Sequence, residues 1–117
     1  MEIKQIVFTE KNKAELLKCE INEPGENEVL IKTAYTTISP GTEKANFIGD
    51  INIDASAPPK DNVAHFPRYL GYSGSGVVVK AGKNVKNIKV GEKVVNLRSS
   101  HSSFTTVNRP SARISHK

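Results

Sequence analysis

Cysteine, tryptophan and long apolar runs are nearly or wholly missing from this 117-residue chain, which holds one Cys, no Trp and one Met. A lone cysteine, Cys19, excludes an internal disulfide framework and any cysteine-rich structural zinc site. It also suits a reducing compartment, so a cytoplasmic location is expected. Cys19 stands among charged neighbours with no His or Asp beside it to activate a thiolate, and it reads as a packing or surface residue. No stretch approaches the roughly 18 to 20 apolar residues of a membrane span, and "MEIKQIVFTEK" lacks the uninterrupted apolar core of a signal peptide. Neither secretion nor a membrane partner is expected.

Aromatic residues are scarce too, with 4 Phe and 3 Tyr. Single-stranded nucleic-acid binding draws on rings interleaved with basic residues, and nothing of that kind occurs here. The 17 Lys and Arg against 12 Asp and Glu give a net charge of +5. Most of those lysines alternate with acidic residues, and only "NRPSARISHK" is basic without compensation. The expectation is a solvated surface and no nucleic-acid partner.

What is present is a rhythm of short β-like runs separated by turn signals, within a length that suits one domain and one modest core. "EVLIKTAYTTI", residues 28–38, is rich in β-branched residues and reads as a strand. "MEIKQIVF" alternates less cleanly, and the two are expected to pair or pack. "KAELLKCEIN" has helical propensity, but Pro24 and Gly25 behind it make a turn that favours a strand. "SGVVVKAG" and "EKVVNL" follow, joined by the turn-rich "KNVKNIKVG", and "HSSFTTVN" completes a mainly β domain. Two segments break the rhythm. In "TEKANFIG", Thr42 stands as an N-cap ahead of Glu43, Ala45 and Phe47, with Gly49 as the stop, predicting one or two helical turns. Residues 49–67 carry three prolines and no clear period, which predicts a long loop, either a functional lid or a disordered segment.

"YLGYSGSGVVVK", residues 69–80, packs Gly71, Gly74 and Gly76 against a run of three valines. A dinucleotide loop runs G-x-G-x-x-G after a strand and opens a helix whose amides face the phosphates. Here the order is reversed and the valines continue as a strand, so no phosphate site is expected. Glycine inside a strand marks a bend, a bulge or a close approach, and Gly74 and Gly76 are read as crowding residues on a bent strand.

"FPRYLGYSGSGVVVKAGKNVKNIKVGEKVV", residues 66–95, resembles the central signature of the GroES-like domain of medium-chain dehydrogenases and reductases. There a glycine-rich strand precedes G-x-x-V-x-x-x-x-x-G-[DE]-x-V, and Gly82, Val85, Val90, Gly91, Glu92 and Val94 stand at matching spacings. Upstream, "PGENEVLIKTAYTTISPGTE" is similar to the family's strand followed by a G-T-D or G-T-E turn. The resemblance implies a partly open β-barrel with one or two short helices. It forms the substrate-side catalytic half of an NAD(P)-dependent alcohol dehydrogenase-like oxidoreductase acting on a small alcohol or carbonyl. It also implies a domain excised from a longer enzyme, inactive alone, whose Rossmann domain would follow Lys117 and bind most of the NAD or NADP. Closing strands of the family's catalytic domain come from beyond that cofactor domain, so an exposed edge and self-association are expected.

The same resemblance bears on zinc. Zinc-dependent relatives carry a cysteine before the G-T-D turn and a His-Glu pair after the L-G that opens the glycine-rich strand. The matching positions here are Pro40, or Ser39 with a shift of one, then Tyr72 and Ser73. None is an ordinary zinc ligand, and the four-cysteine lobe is replaced by "NLRSSHSSF". His65 and His101 match no ligand position and read as surface or hydrogen-bonding residues. No metal is expected.

Without zinc, a hydride-transfer site needs another group to polarise a carbonyl or move a hydroxyl proton. The resemblance makes Thr42 the catalytic candidate, since the hydroxyl of this turn starts a proton relay in relatives; the N-cap role stands beside it. Ser39, Glu43, Tyr72 and Ser73 are the substrate-side candidates. Glu43 matches an acidic residue that supports the metal in zinc enzymes, or it opens the helix, where the dipole favours a negative charge. Tyr72 presents a hydroxyl to the cleft or packs on its strand, and the two serines supply turn hydrogen bonds. The alternative from another class is a stand-alone binding module with a co-chaperonin-like barrel. That module needs a mobile apolar loop, which the polar "GDINIDASAPPKDN" does not supply.

Overall fold

A computed structural model of the chain describes residues 1–49, 65–97, 99–108 and 112–113. Its elements run β1 (Glu2–Glu10), β2 (Lys13–Glu20), β3 (Val29–Thr37), α1 (Pro40–Phe47), β4 (Arg68–Tyr69), β5 (Ser73–Ala81), β6 (Lys93–Leu97), β7 (Phe104–Val107) and β8 (Ala112–Arg113). Two antiparallel sheets result, ordered β2-β1-β4 and β7-β3-β5-β6-β8. Residues 99–103 sew them together. The Ser103 amide donates to the Lys4 carbonyl, the Thr33 amide to the Ser103 carbonyl and the Ile6 amide to the His101 carbonyl. The product is the mainly β domain that the strand rhythm predicts, arranged as the partly open barrel that the resemblance implies.

The core lies in the larger sheet. Val29, Ile31, Val78 and Val94 are fully or almost fully buried, and Val85, Ile88 and Val107 pack against them. Leu30 is buried as well. Because successive strand residues point to opposite faces, the start of β3 is covered on both sides. Each fully buried side chain of this size contributes about 1.5 to 3 kcal/mol.

Gly74, Gly76 and Val78 alternate along one buried face of β5, and the glycines are there because β3 comes too close for a side chain. A Cβ on Gly76 would lie 2.2 Å from the Lys32 carbonyl oxygen, and one on Gly74 would lie 3.1 Å from that of Tyr35. The β3–β5 register slips between Thr33 and Tyr35, opposite Gly76 and Ser75. Crowding on a bent strand is therefore what the glycine cluster does.

Two expectations are corrected. The first strand does not pair with β3: β1 takes β2 and β4 as neighbours, whereas β3 takes β5 and β7. Glu10 pairs with Lys13, so Lys11 and Asn12 alone turn the chain, with Asn12 at φ 60°. Closing so short a hairpin costs less loop entropy than reaching β3, and Asn tolerates the left-handed region. The helix also begins earlier than expected. Ser39 occupies the N-cap position and Pro40 the first turn, where a fixed φ and a missing N–H do no harm. Thr42 lies inside the first turn and is not the cap. The stop at Gly49 holds, with φ 78° just past the helix end.

Helix α1 is docked at both ends. Phe47 meets Phe8 edge to face, with ring centroids 5.4 Å apart, and the Asn12 amide donates to the Phe47 carbonyl at 2.7 Å. Buried Asn46 donates to the Thr42 carbonyl at 2.9 Å and accepts from Arg68 at 3.2 Å. The loop expected over residues 49–67 lies outside the described residues except at its two ends.

Candidate active site

The docking of α1 beside the segment that leads into β5 opens a cleft of about 100 Å³, lined by Ser39, Thr42, Glu43, Tyr69, Leu70, Gly71 and Tyr72. Four of the five site residues expected from the sequence thus meet in one place. Ser73 does not line this cleft; it opens β5, paired with Thr37 on one side and Leu97 on the other.

The near wall is the helix start. The Ser39 backbone amide donates to Glu43 Oε2 at 2.6 Å, while its hydroxyl makes no capping bond. The carboxylate one turn on thus reaches back to the N-cap amide, as the acidic half of a capping box does, without the serine half. Thr42 is exposed at the cleft with its main-chain carbonyl held by Asn46. The far wall is residues 69–72. Tyr72 is 62% exposed, so its phenol is free to meet a ligand, and Leu70 adds an apolar surface beside it. Gly71 allows this wall to lie against the next segment, since a Cβ there would sit 1.9 Å from the Ser99 carbonyl oxygen.

Beneath the near wall lies a contact that sequence reasoning did not anticipate. His101 Nε2 is in direct hydrogen-bond contact with Glu43 Oε1, the two side chains being only 9% and 12% exposed. The other ring nitrogen, Nδ1, faces Thr36 Oγ1 at 2.6 Å. Fifty-eight residues separate His101 from Glu43, so no local motif could have paired them. The only signal was a histidine in a polar run otherwise made of serines.

The donor set does not fit a catalytic zinc. Pro40 has no donor atom, Tyr72 and Ser73 are not ordinary ligands, and both Glu43 oxygens are engaged. Among the described residues no group of three or more His, Cys, Asp and Glu side chains comes together in a way that could hold a metal ion. Gly71, Gly74 and Gly76 are pressed against neighbouring segments.

Comparison with known proteins agrees with this geometry. The family model of the alcohol dehydrogenase GroES-like domain matches residues 25–112. S-(hydroxymethyl)glutathione dehydrogenase of Escherichia coli O1:K1 is 30% identical over 92 residues, which are 79% of this chain and 22% of that protein. The chain therefore spans about a fifth of the length of the curated relatives it matches. Among solved structures, human synaptic vesicle membrane protein VAT-1 homolog-like protein superposes with a TM-score of 0.70 at 24% identity, covering 92% of this chain and 33% of that one. The quinone oxidoreductase from Coxiella burnetii gives 0.66 at 23%, covering 91% and 34%. The structural likenesses speak for the fold, and the family match spans β3 to β7, the helix and the cleft, leaving β1 and β2 outside it. On that match the chain belongs to the alcohol dehydrogenase GroES-like domain family of the medium-chain dehydrogenase/reductase superfamily.

Proposed function

We propose that this chain is the substrate-side domain of an NAD(P)-dependent oxidoreductase that interconverts a small alcohol and its carbonyl without zinc. The carrying observation is the cleft itself, where two hydroxyl-bearing residues from separate segments, Thr42 and Tyr72, line one small space with Leu70. When bound, the nicotinamide supplies or accepts the hydride; a Rossmann domain elsewhere in the longer protein holds most of the dinucleotide. This chain's residues handle the oxygen. In carbonyl reduction the Thr42 hydroxyl passes its proton to the oxygen as charge builds there and regains one from solvent; in alcohol oxidation the relay runs in reverse. Tyr72 is a second hydrogen-bond donor to that oxygen. Leu70 and the ring of Tyr69 limit water at the reacting carbon. Ser39 and Glu43 shape the near wall, and Ser73 supports the far one from β5.

Zinc independence rests on the donor set: the positions matching ligands in metal-using relatives hold Pro40, Tyr72 and Ser73, and Glu43 is already bonded on both oxygens. A cytoplasmic location belongs to the same proposal, supported by the single unpaired cysteine. Self-association is its last part. β2 is an outer strand, with Leu16 65% and Leu17 36% exposed along it, an edge open to another strand. The test of the activity is oxidation of NADH and NADPH by the full-length protein against a panel of aldehydes and ketones. Turnover with at least one pair is expected, and none with either nucleotide would defeat the proposal.

A further inference from the structure

We infer that His101 is a positioning residue for this cleft, bonded to both of its walls. The inference rests on the reading of the cleft as the substrate site. Through its side chain His101 holds Glu43, and Glu43 holds the Ser39 amide, so the start of α1 is fixed to it. Through its own main-chain amide it donates to the Leu70 carbonyl at 3.1 Å, which fixes the other wall. Its carbonyl accepts from the Ile6 amide at 2.8 Å, anchoring the residue itself to β1. His101 thus ties the two walls to each other at the start of α1, while Asn46 and Phe47 hold the far end of the helix.

Imidazole suits this task because its two ring nitrogens face opposite partners: with the proton on Nε2 it donates to the Glu43 carboxylate and accepts at Nδ1 from the Thr36 hydroxyl. Thr36 and His101 also line a second, outer groove of about 280 Å³ with Lys4, Ile6 and Tyr35, on the opposite side of the ring from Glu43. Removing the ring leaves a nearly buried carboxylate short of a partner, which is far costlier than losing a surface contact.

Glutamine can keep one donor toward Glu43 and one acceptor toward Thr36, whereas alanine keeps neither. In the full chain, His101→Ala is expected to raise the exchange rate of the Ser39 amide about tenfold or more and to shift the Tyr72 amide resonance. The Val78 amide stays protected, because only local opening is affected. His101→Gln should restore most of both. With benzaldehyde and NADPH or NADH as probe, His101→Ala is expected to raise KM and lower kcat together, and His101→Gln to recover KM preferentially.

An unchanged Ser39 amide in folded His101→Ala would overturn the strut, as would a Gln variant no better than Ala. Should His101→Ala not fold, Thr36→Val removes only the Nδ1 partner and must give a smaller loss of Ser39 protection; no loss overturns the strut. The exchange experiments need no turnover. A Ser39 response with no turnover of any aldehyde or ketone of the panel, with either nucleotide, would keep the strut and reject the substrate reading.

Discussion

Thr42 and Gly76 show how differently single residues serve this domain. Thr42 is exposed on the first turn of α1 and lines the cleft, so changing it tests chemistry with little effect on folding. Thr42→Val in the full-length protein is expected to lower turnover on the order of 10²-fold with the melting temperature nearly unchanged. Unchanged turnover would leave Thr42 as a lining residue only. Gly76 is the reverse case. With a Cβ 2.2 Å from the Lys32 carbonyl oxygen and 2.7 Å from Ile31 Cγ2, Gly76→Ala must push β3 and β5 apart. A loss of about 1 to 3 kcal/mol in urea unfolding is expected, and a variant as stable as the parent would contradict the close-approach reading. Legibility at this scale followed sequence distance. Ser39, Thr42, Glu43 and Tyr72 sit in or beside two short recognisable motifs, and all four line the cleft. His101 is brought to Glu43 only by the crossing of residues 99–103 between the sheets, which no local pattern encodes.

Among the elements, the β-branched runs were readable because burial reinforces their propensity: β3 and β5 fall almost where their Val, Ile and Thr content places them. Pairing was less readable. The β1–β2 hairpin turns on Lys11 and Asn12, which lack the Asn-Gly or Asp-Gly signature of a tight turn, and so β3 looked like the natural neighbour. β4 and β8, of two residues each, carry no period at all. The start of α1 was misjudged because a threonine before an acidic residue looks like a cap, while Pro40 two positions earlier had already set the helical φ. Asn46 is the hinge of the element's attachment, bonded within the helix to Thr42 and outside it to Arg68 of β4. Asn46→Ala is expected to cost about 1 to 3 kcal/mol and to raise amide exchange across α1 more than across β5. Equal effects on both elements would show that α1 is not held by this contact.

For the whole molecule, residues 66–95 carry a resemblance that implies the barrel, and the family match over residues 25–112 shows the family. Open edges follow from the topology. If β2 docks another copy, sedimentation should show mass rising with concentration, and Leu16→Lys should abolish the rise. A strictly monomeric particle at high concentration would remove self-association from the proposal. The chemistry hangs on a claim about what the cleft does without. The direct measurement is carbonyl reduction by the full-length protein after exhaustive chelation, before and after zinc is returned, with bound metal counted in the same sample. Undiminished turnover with substoichiometric zinc is expected. Turnover that vanishes on chelation and returns with one zinc per chain would contradict the reading of Pro40, Tyr72 and Ser73 as a metal-free site.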